Sequence, residues 1–217
     1  MNFYQSTSGS GGPLALAHAM PQLIATLNEI QTPQVGRKYG IKDRRPLDPP
    51  PVVQLRIYRP VGNTTQEVQN YEFVDHAGFI CYAELFKYED AVAAMRSSGQ
   101  IQPAPLGPDI LVGATCVEAK VIQYHDKALL IFAFPDISSK ETGDFALRYK
   151  FVNMTEKPGL LTNTVLAQCW GQHFRVHSSK TAPTLEASTE LTKALAKAGI
   201  PVSVREHKRT RQVYEYE

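Results

Sequence analysis

Cysteine is scarce in this chain. Cys81, Cys116 and Cys169 are the only three in 217 residues. They are odd in number, far apart and form no CxxC pair. That pattern excludes a disulfide framework and fits a reducing compartment, cytosol or nucleus. Long apolar runs are missing too: nothing approaches the roughly 18 residues of a membrane span, so no membrane partner is expected. Ala17-His18-Ala19 has the outline of a leader cleavage site, but no Lys or Arg precedes it. The apolar stretch Leu14–Ala17 is also too short for a leader. The sequons at Asn63 and Asn153 therefore read as chance matches. Catalytic signatures are absent: there is no GxSxG elbow, Walker A loop, GxGxxG or HExxH. Asp75-His76 reads as a polar loop rather than a base with its orienting partner. The expectation is a protein that is not an enzyme and needs no cofactor. No internal repeat occurs.

What remains is an ordinary globular mixture, 43% hydrophobic and 20% charged, long enough for one large domain or two small ones. The net charge of +2 says little, but its distribution says more. Residues 37–59 hold seven basic and two acidic groups, whereas 60–97 hold two basic and six acidic. The densest stretch is Arg37–Arg45, with five basic residues and one acid in nine positions. Gly36 and Gly40 suggest a flexible loop, and Pro46–Pro51 an extended anchor. Arginine forks fit phosphates, and Arg or Lys can bond guanine edges. The competing readings are a solvated loop and a nuclear-import signal.

Cys169, His173 and His177 have metal-like spacing. However, Gly171 and the alternation of Phe174 and Val176 favour a strand, which spreads the histidines about 13 Å apart at ~3.3 Å per residue. No metal site is expected there.

Hydrophobic periodicity gives the elements. Apolar spacing over Leu14–Ile30 predicts a short or broken helix. From Val52 the period becomes two, through Val53, Leu55 and Ile57. Phe79–Leu85, Leu111–Ile122, Ala128–Phe134, Phe145–Phe151, Leu160–Gln168 and Phe174–His177 read as further strands, with a hairpin through Tyr124–Lys127. Glu89–Ser97 and Glu190–Ala198 read as helices, the second stopped by Gly199. Val202 and Val204 suggest a last strand. Many short strands separated by Pro and Gly turns predict a mainly β protein, a β-sandwich with a few short helices.

The run Asp43-Arg44-Arg45-Pro46-Leu47-Asp48-Pro49-Pro50-Pro51-Val52-Val53-Gln54-Leu55-Arg56-Ile57 closely resembles the opening motif of the fungal velvet domain. Further matches follow in order. Leu111-Val112-Gly113 is similar to its strand entry, Ile131–Ile137 to its "FxFPDLS" element and Thr142–Tyr149 to its "EGxFRLRF" strand. Phe174–Lys180 resembles its "FxVYSAK" strand, and Thr184–Thr192 its last helix entry. The resemblance covers about Thr32 to Arg205. Lys180–Pro183 lacks the family's "FPG", and Glu67–Asp75 and Glu89–Pro108 look like variable insertions.

The resemblance implies an Ig-like, Rel-homology-like sandwich. The layout expected is an N-terminal extension at 1–31, a velvet domain at 32–205 and a basic, polar tail at 206–217. It implies a dimer, with itself or another velvet protein, that binds double-stranded DNA in the nucleus, with a cytoplasmic pool, and regulates development, sporulation and secondary metabolism. The family's DNA contacts map onto Arg37, Lys38, Lys42, Arg44 and Arg45. Lys208, Arg209 and Arg211 are further candidates for DNA contact or nuclear import. The alternative is an interaction subunit without DNA affinity, which pairs with another velvet protein or recruits a methyltransferase-like regulator.

Overall fold

The computed structural model of the chain describes residues 24–40, 45–155 and 165–208. Its strands, in chain order, are β1 (Ile24–Gln31), β2 (Val35–Arg37), β3 (Val52–Val61), β4 (Thr64–Glu67), β5 (Phe79–Lys87), β6 (Leu111–Val112), β7 (Cys116–Glu118), β8 (Lys120–Tyr124), β9 (Lys127–Ala133), β10 (Ser138–Ser139), β11 (Gly143–Asn153), β12 (Ala167–Trp170) and β13 (Phe174–His177). Helix α1 spans Tyr88–Arg96 and α2 spans Glu190–Lys197.

These strands build two main sheets and a small two-stranded one, β10-β6. The first runs β1-β3-β9-β8, with β4 extending the far half of β3. The second runs β2-β13-β11-β5-β7, with β12 also beside β11. Alternation in the sequence explains which side chains meet between them. Val53, Leu55 and Ile57 of β3 and Leu130 and Phe132 of β9 share one core with Phe79, Cys81, Ala83 and Leu85 of β5 and Phe145, Leu147, Tyr149 and Phe151 of β11. Aromatic pairs span the two layers: Phe132 lies 5.8 Å from Phe151 and Phe134 5.6 Å from Tyr149, between ring centroids. Each fully buried large apolar side chain contributes about 1.5–3 kcal/mol. The architecture is a β-sandwich with few helices.

The helices cover the outer faces. Leu191 and Leu195 of α2 pack on Val52, Ile122, Ile131 and Ala133 of the first sheet. Thr189 caps this helix, its Oγ1 accepting from Thr192 N at 3.0 Å, and Gly199 ends it at a φ of 79°. Ala91 of α1 packs on Phe86 and Ala146 of the second sheet. Beside it, the Arg148 guanidinium lies 4.6 Å from the Phe86 ring and 5.2 Å from Trp170. Glu84 accepts from Arg148 Nε at 2.8 Å, so this outward arginine is paired as well as buried.

A carboxylate ties the two sheets at their edge. Glu29 of β1 accepts from the Tyr149 hydroxyl of β11 at 2.7 Å, from Thr32 Oγ1 at 2.6 Å and from Gln172 N at 2.8 Å. Burial, then Glu29, pushes the Tyr149 hydroxyl well above its usual range.

Several sequence expectations are met and several are corrected. The hairpin at Tyr124–Lys127 is present, with His125 and Asp126 at φ of 47° and 59°, the geometry of a tight two-residue loop. The helix expected over Leu14–Ile30 is contradicted where it can be judged: residues 24–31 are β1, hydrogen-bonded along β3, and residues 14–23 lie outside the described residues. Pairing with an adjacent strand overrides weak helical spacing. The run Leu111–Ile122 is three short strands, because Gly113 turns at a φ of 103° against the backbone of Asp136. The strand over Leu160–Gln168 is observed as Ala167–Trp170, with residues 156–164 outside the description. Val202 and Val204 form no strand. Val202 instead packs on the cluster under α2. No described helix is long and apolar enough to cross a membrane.

Candidate nucleic-acid interface

The basic segment is pinned at both ends. Its first residue, Arg37, ends β2, which pairs in parallel with β13 through Val35–Arg175, Gly36–Val176 and Arg37–His177. Lys38 N then donates to His177 O and Tyr39 N to Ser139 O, both at 2.8 Å. Gly36 is therefore no flexible joint. A Cβ there would sit 2.7 Å from Val176 Cγ2 and 3.0 Å from Leu47 Cδ2. The residue is glycine because two strands and Leu47 close on it.

The return end is equally fixed. Leu47 is buried and its N donates to Ile137 O at 2.9 Å. Asp48 N donates to Val35 O at 2.9 Å, and Asp48 O accepts from Gln34 N and Val35 N at 2.8 Å. The segment thus leaves the second sheet after Lys38 and rejoins it at Asp48. This puts exposed Lys38 and half-buried Arg37 and Arg45 at one end of the sandwich. Arg37 Nη2 also donates to Pro183 O at 3.1 Å. Lys42 and Arg44 lie outside the described residues.

The C-terminal segment reaches the same end. An open cleft of about 880 Å³ is lined by Arg37, Arg45, Asp48, Arg205, His207 and Lys208, among others. Arg205 Nη2 donates to both carboxylate oxygens of Asp48, at 2.5 and 2.7 Å, and its Nε donates to Glu186 O at 3.0 Å. Arg205 N and O bond Ser188 Oγ and N at 3.0 and 2.9 Å. Lys208 Nζ pairs with Glu186 at the exposed surface. Arg209 and Arg211 lie outside the described residues. Asp48, Arg205 and His207 were not legible as site residues, since Asp48 and Arg205 stand 157 positions apart.

The metal-like trio is dispersed. Cys169 lies on β12 and His177 ends β13. His173 precedes β13 and bonds Asp144 through Nε2 at 2.8 Å. Burial, then Glu29, pushes the Cys169 thiol up to about 12. Among the described residues no three His, Cys, Asp or Glu side chains converge. Asp75 and His76 sit in a turn, Asp75 Oδ1 accepting from Ala77 N at 3.1 Å.

The arrangement defines a β-sandwich that carries a basic segment and a basic C-terminal stretch at one end. A family model described as velvet factor matches residues 25–105 and 94–209. The chain belongs to the velvet family. It is 34% identical over 90% of its length to a probable velvet family sexual development regulator of Schizophyllum commune, covering 78% of that protein. It is 30% identical over 87% of its length to another such regulator, of Laccaria bicolor, covering 72% of it. A developmental and secondary metabolism regulator, VE1 of Gibberella moniliformis, is 32% identical over 84% of this chain, which spans 36% of that longer relative. These relatives are named as regulators, not as enzymes.

Proposed function

We infer that this chain is a DNA-binding regulator of fungal development and secondary metabolism. Its duplex contacts come from Arg37, Lys38, Lys42, Arg44 and Arg45. The observation that carries this reading is the double anchoring of the basic segment on the edge of a rigid sheet. A loop whose ends are fixed loses less entropy on binding than a free tail. Lys38 suits a phosphate contact, and Arg44 and Arg45, beside the proline run, suit base edges. The names of the relatives support the regulatory role, and the reading carries with it a nuclear site of action.

Specificity argues for a dimer. One good bidentate base contact gives about 1–3 kcal/mol of discrimination, while specific binders exceed their nonspecific affinity by about 4–10 kcal/mol. One loop reaches the lower part of that range and two reach its middle. The chain therefore pairs with itself or with another velvet domain, and its preferred site has two half-sites. The test is duplex affinity against salt, for the protein alone and with a velvet partner. Phosphate contacts give log affinity a slope of about −0.9 per phosphate against log salt. Affinity that does not move with salt, with and without partner, refutes DNA binding. A strict monomer that binds one half-site as well as two refutes the dimer.

A further inference from the structure

The C-terminal segment is held where it is by a small number of strong contacts, and those contacts join it to the root of the basic segment. Arg205 is the hub. Its guanidinium bonds both oxygens of Asp48 and the carbonyl of Glu186, while its backbone brackets Ser188. Asp48 in turn is the residue whose backbone closes the basic loop on Val35. Pro183 and Glu186 lie between the two basic tracts: Pro183 O accepts from Arg37 and the Glu186 side chain from Lys208. Two stretches distant in sequence therefore share one cleft.

The electrostatics of the cleft point to an anion. Its lining includes four permanent cations, Arg37, Arg45, Arg205 and Lys208, against two carboxylates, Asp48 and Glu206, with His207 beside them. Asp48 is the carboxylate nearest the root of the basic segment, and Arg205 covers both of its oxygens. The Asp48–Arg205 pair is only about one-fifth exposed, 21% and 20%. It is geometrically fixed, unlike the Lys208–Glu186 pair at 58% and 59% exposed. An exposed pair of that kind contributes little and is easily given up to a phosphate.

We propose that the cleft is the second half of a composite phosphate-binding rim, in which Asp48 and Arg205 form a clasp that seats His207 and Lys208 beside Arg37, Lys38 and Arg45. The ligand is the phosphodiester backbone of duplex DNA, and the inference rests on the DNA-binding reading above. Arg205 is a positioning residue: it faces Asp48, screens that charge from the duplex, and fixes where Lys208 stands. Lys208 makes the contact.

The experiment is a duplex titration across salt with the full chain and its Lys208→Ala, Arg205→Ala, Arg205→Lys and Lys208→Ala/Arg205→Ala variants. Lys208→Ala sits at an exposed position, so it folds, and it should lower the salt slope by about 0.9. Arg205→Ala should lower it by at least as much, although its own guanidinium is turned to Asp48. Arg205→Lys should recover part of that loss, since an ammonium can bond Asp48 but lacks the fork that also reaches Glu186. The decisive result is the double variant: with the clasp open, removing Lys208 should change nothing further. An unchanged slope in Lys208→Ala, or fully additive losses in the double variant, overturns the proposal while DNA binding by the basic segment stands. An unchanged slope with lost self-association makes the cleft a protein contact and overturns it equally. A wild-type chain with no salt-dependent duplex affinity removes the underlying reading, and the rim with it.

Discussion

Tyr149→Phe isolates the bond that ties the two sheets. The tyrosine is wholly buried at 0% exposure, and its hydroxyl donates to Glu29 at 2.7 Å. The substitution leaves the ring packing in place and removes only the donor. A hydrogen bond to a charged group contributes about 1.5–3 kcal/mol. Glu29 keeps its bonds from Thr32 and from Gln172 N, and it is half-exposed, so water can replace part of the loss. The expected cost is therefore near the lower end, about 1.5–2 kcal/mol, read as a shift in the urea midpoint at unchanged slope. The same substitution made in a Glu29→Gln background should cost only about 0.5–1.5 kcal/mol, the range for a neutral pair. The pH dependence supplies a second check. A hydroxyl held above its unfolded value of about 10 keeps its proton in the folded state after the unfolded chain has lost it. Its contribution is full below about pH 10 and falls as pH rises further. The gap between wild type and Tyr149→Phe should therefore narrow above that pH. Tyr71, Cys81 and Cys169 are shifted the same way but are common to both proteins and cancel in the difference. An equal cost in both backgrounds, or a gap that stays constant up to strong alkali, would refute the charged hydrogen bond.

Leu147→Ala, at a fully buried position of β11, should cost about 2–5 kcal/mol by chemical denaturation, and a variant that melts like wild type would show that this face is not core. Gly36→Ala should destabilise by about 1–3 kcal/mol through overpacking against Val176 and Leu47, and should weaken duplex binding with it; loss of neither means that the basic segment is not seated by this contact. Arg44→Ala with Arg45→Ala should weaken duplex binding by about 2–6 kcal/mol if both read bases, whereas Lys38→Ala should lower the salt slope by about one without changing preference; unchanged binding at moderate salt sinks the assignment. A thiol-specific reagent should modify exposed Cys116 first, with buried Cys81 and high-pKa Cys169 following only on unfolding; equal rates for all three would contradict the packing.

The sequence was legible where large apolar residues recur at a clean period of two, even where, as in β11, both faces are buried. Val53, Leu55 and Ile57, and Phe145 through Phe151, announced their strands because polar or small residues separate the apolar ones. The turn at His125-Asp126 and the stop at Gly199 were legible for the same local reason. Legibility failed where partners decide. Ile24–Gln31 spaces its apolar residues as a helix does, yet β3 offers it a hydrogen-bonded edge. β2 has three residues and no periodicity to measure, so Gly36 and Arg37 read as a flexible loop. What holds them is β13, 140 positions away by register with Arg175–His177, and the tight approach of Val176 is invisible in one dimension.

The candidate interface divides along the same line. Its first half is a charge run, and charge density is a local property that composition exposes directly. Its second half joins Lys208, already a candidate from its charge, to Arg205 and His207, which look like ordinary polar residues until Asp48 is placed against Arg205. The motif Asp48-Pro49-Pro50-Pro51 shows why. In the sequence Asp48 is one of two acids, with Asp43, beside five basic residues that it ought to weaken. The fold gives that acid two other tasks: its backbone closes the basic loop on Val35, and its side chain takes a guanidinium from the far end of the chain. A carboxylate that would oppose a phosphate is thereby neutralised by Arg205, so the charge count of the linear segment, Asp48 included, understates the positive charge that segment keeps in the fold.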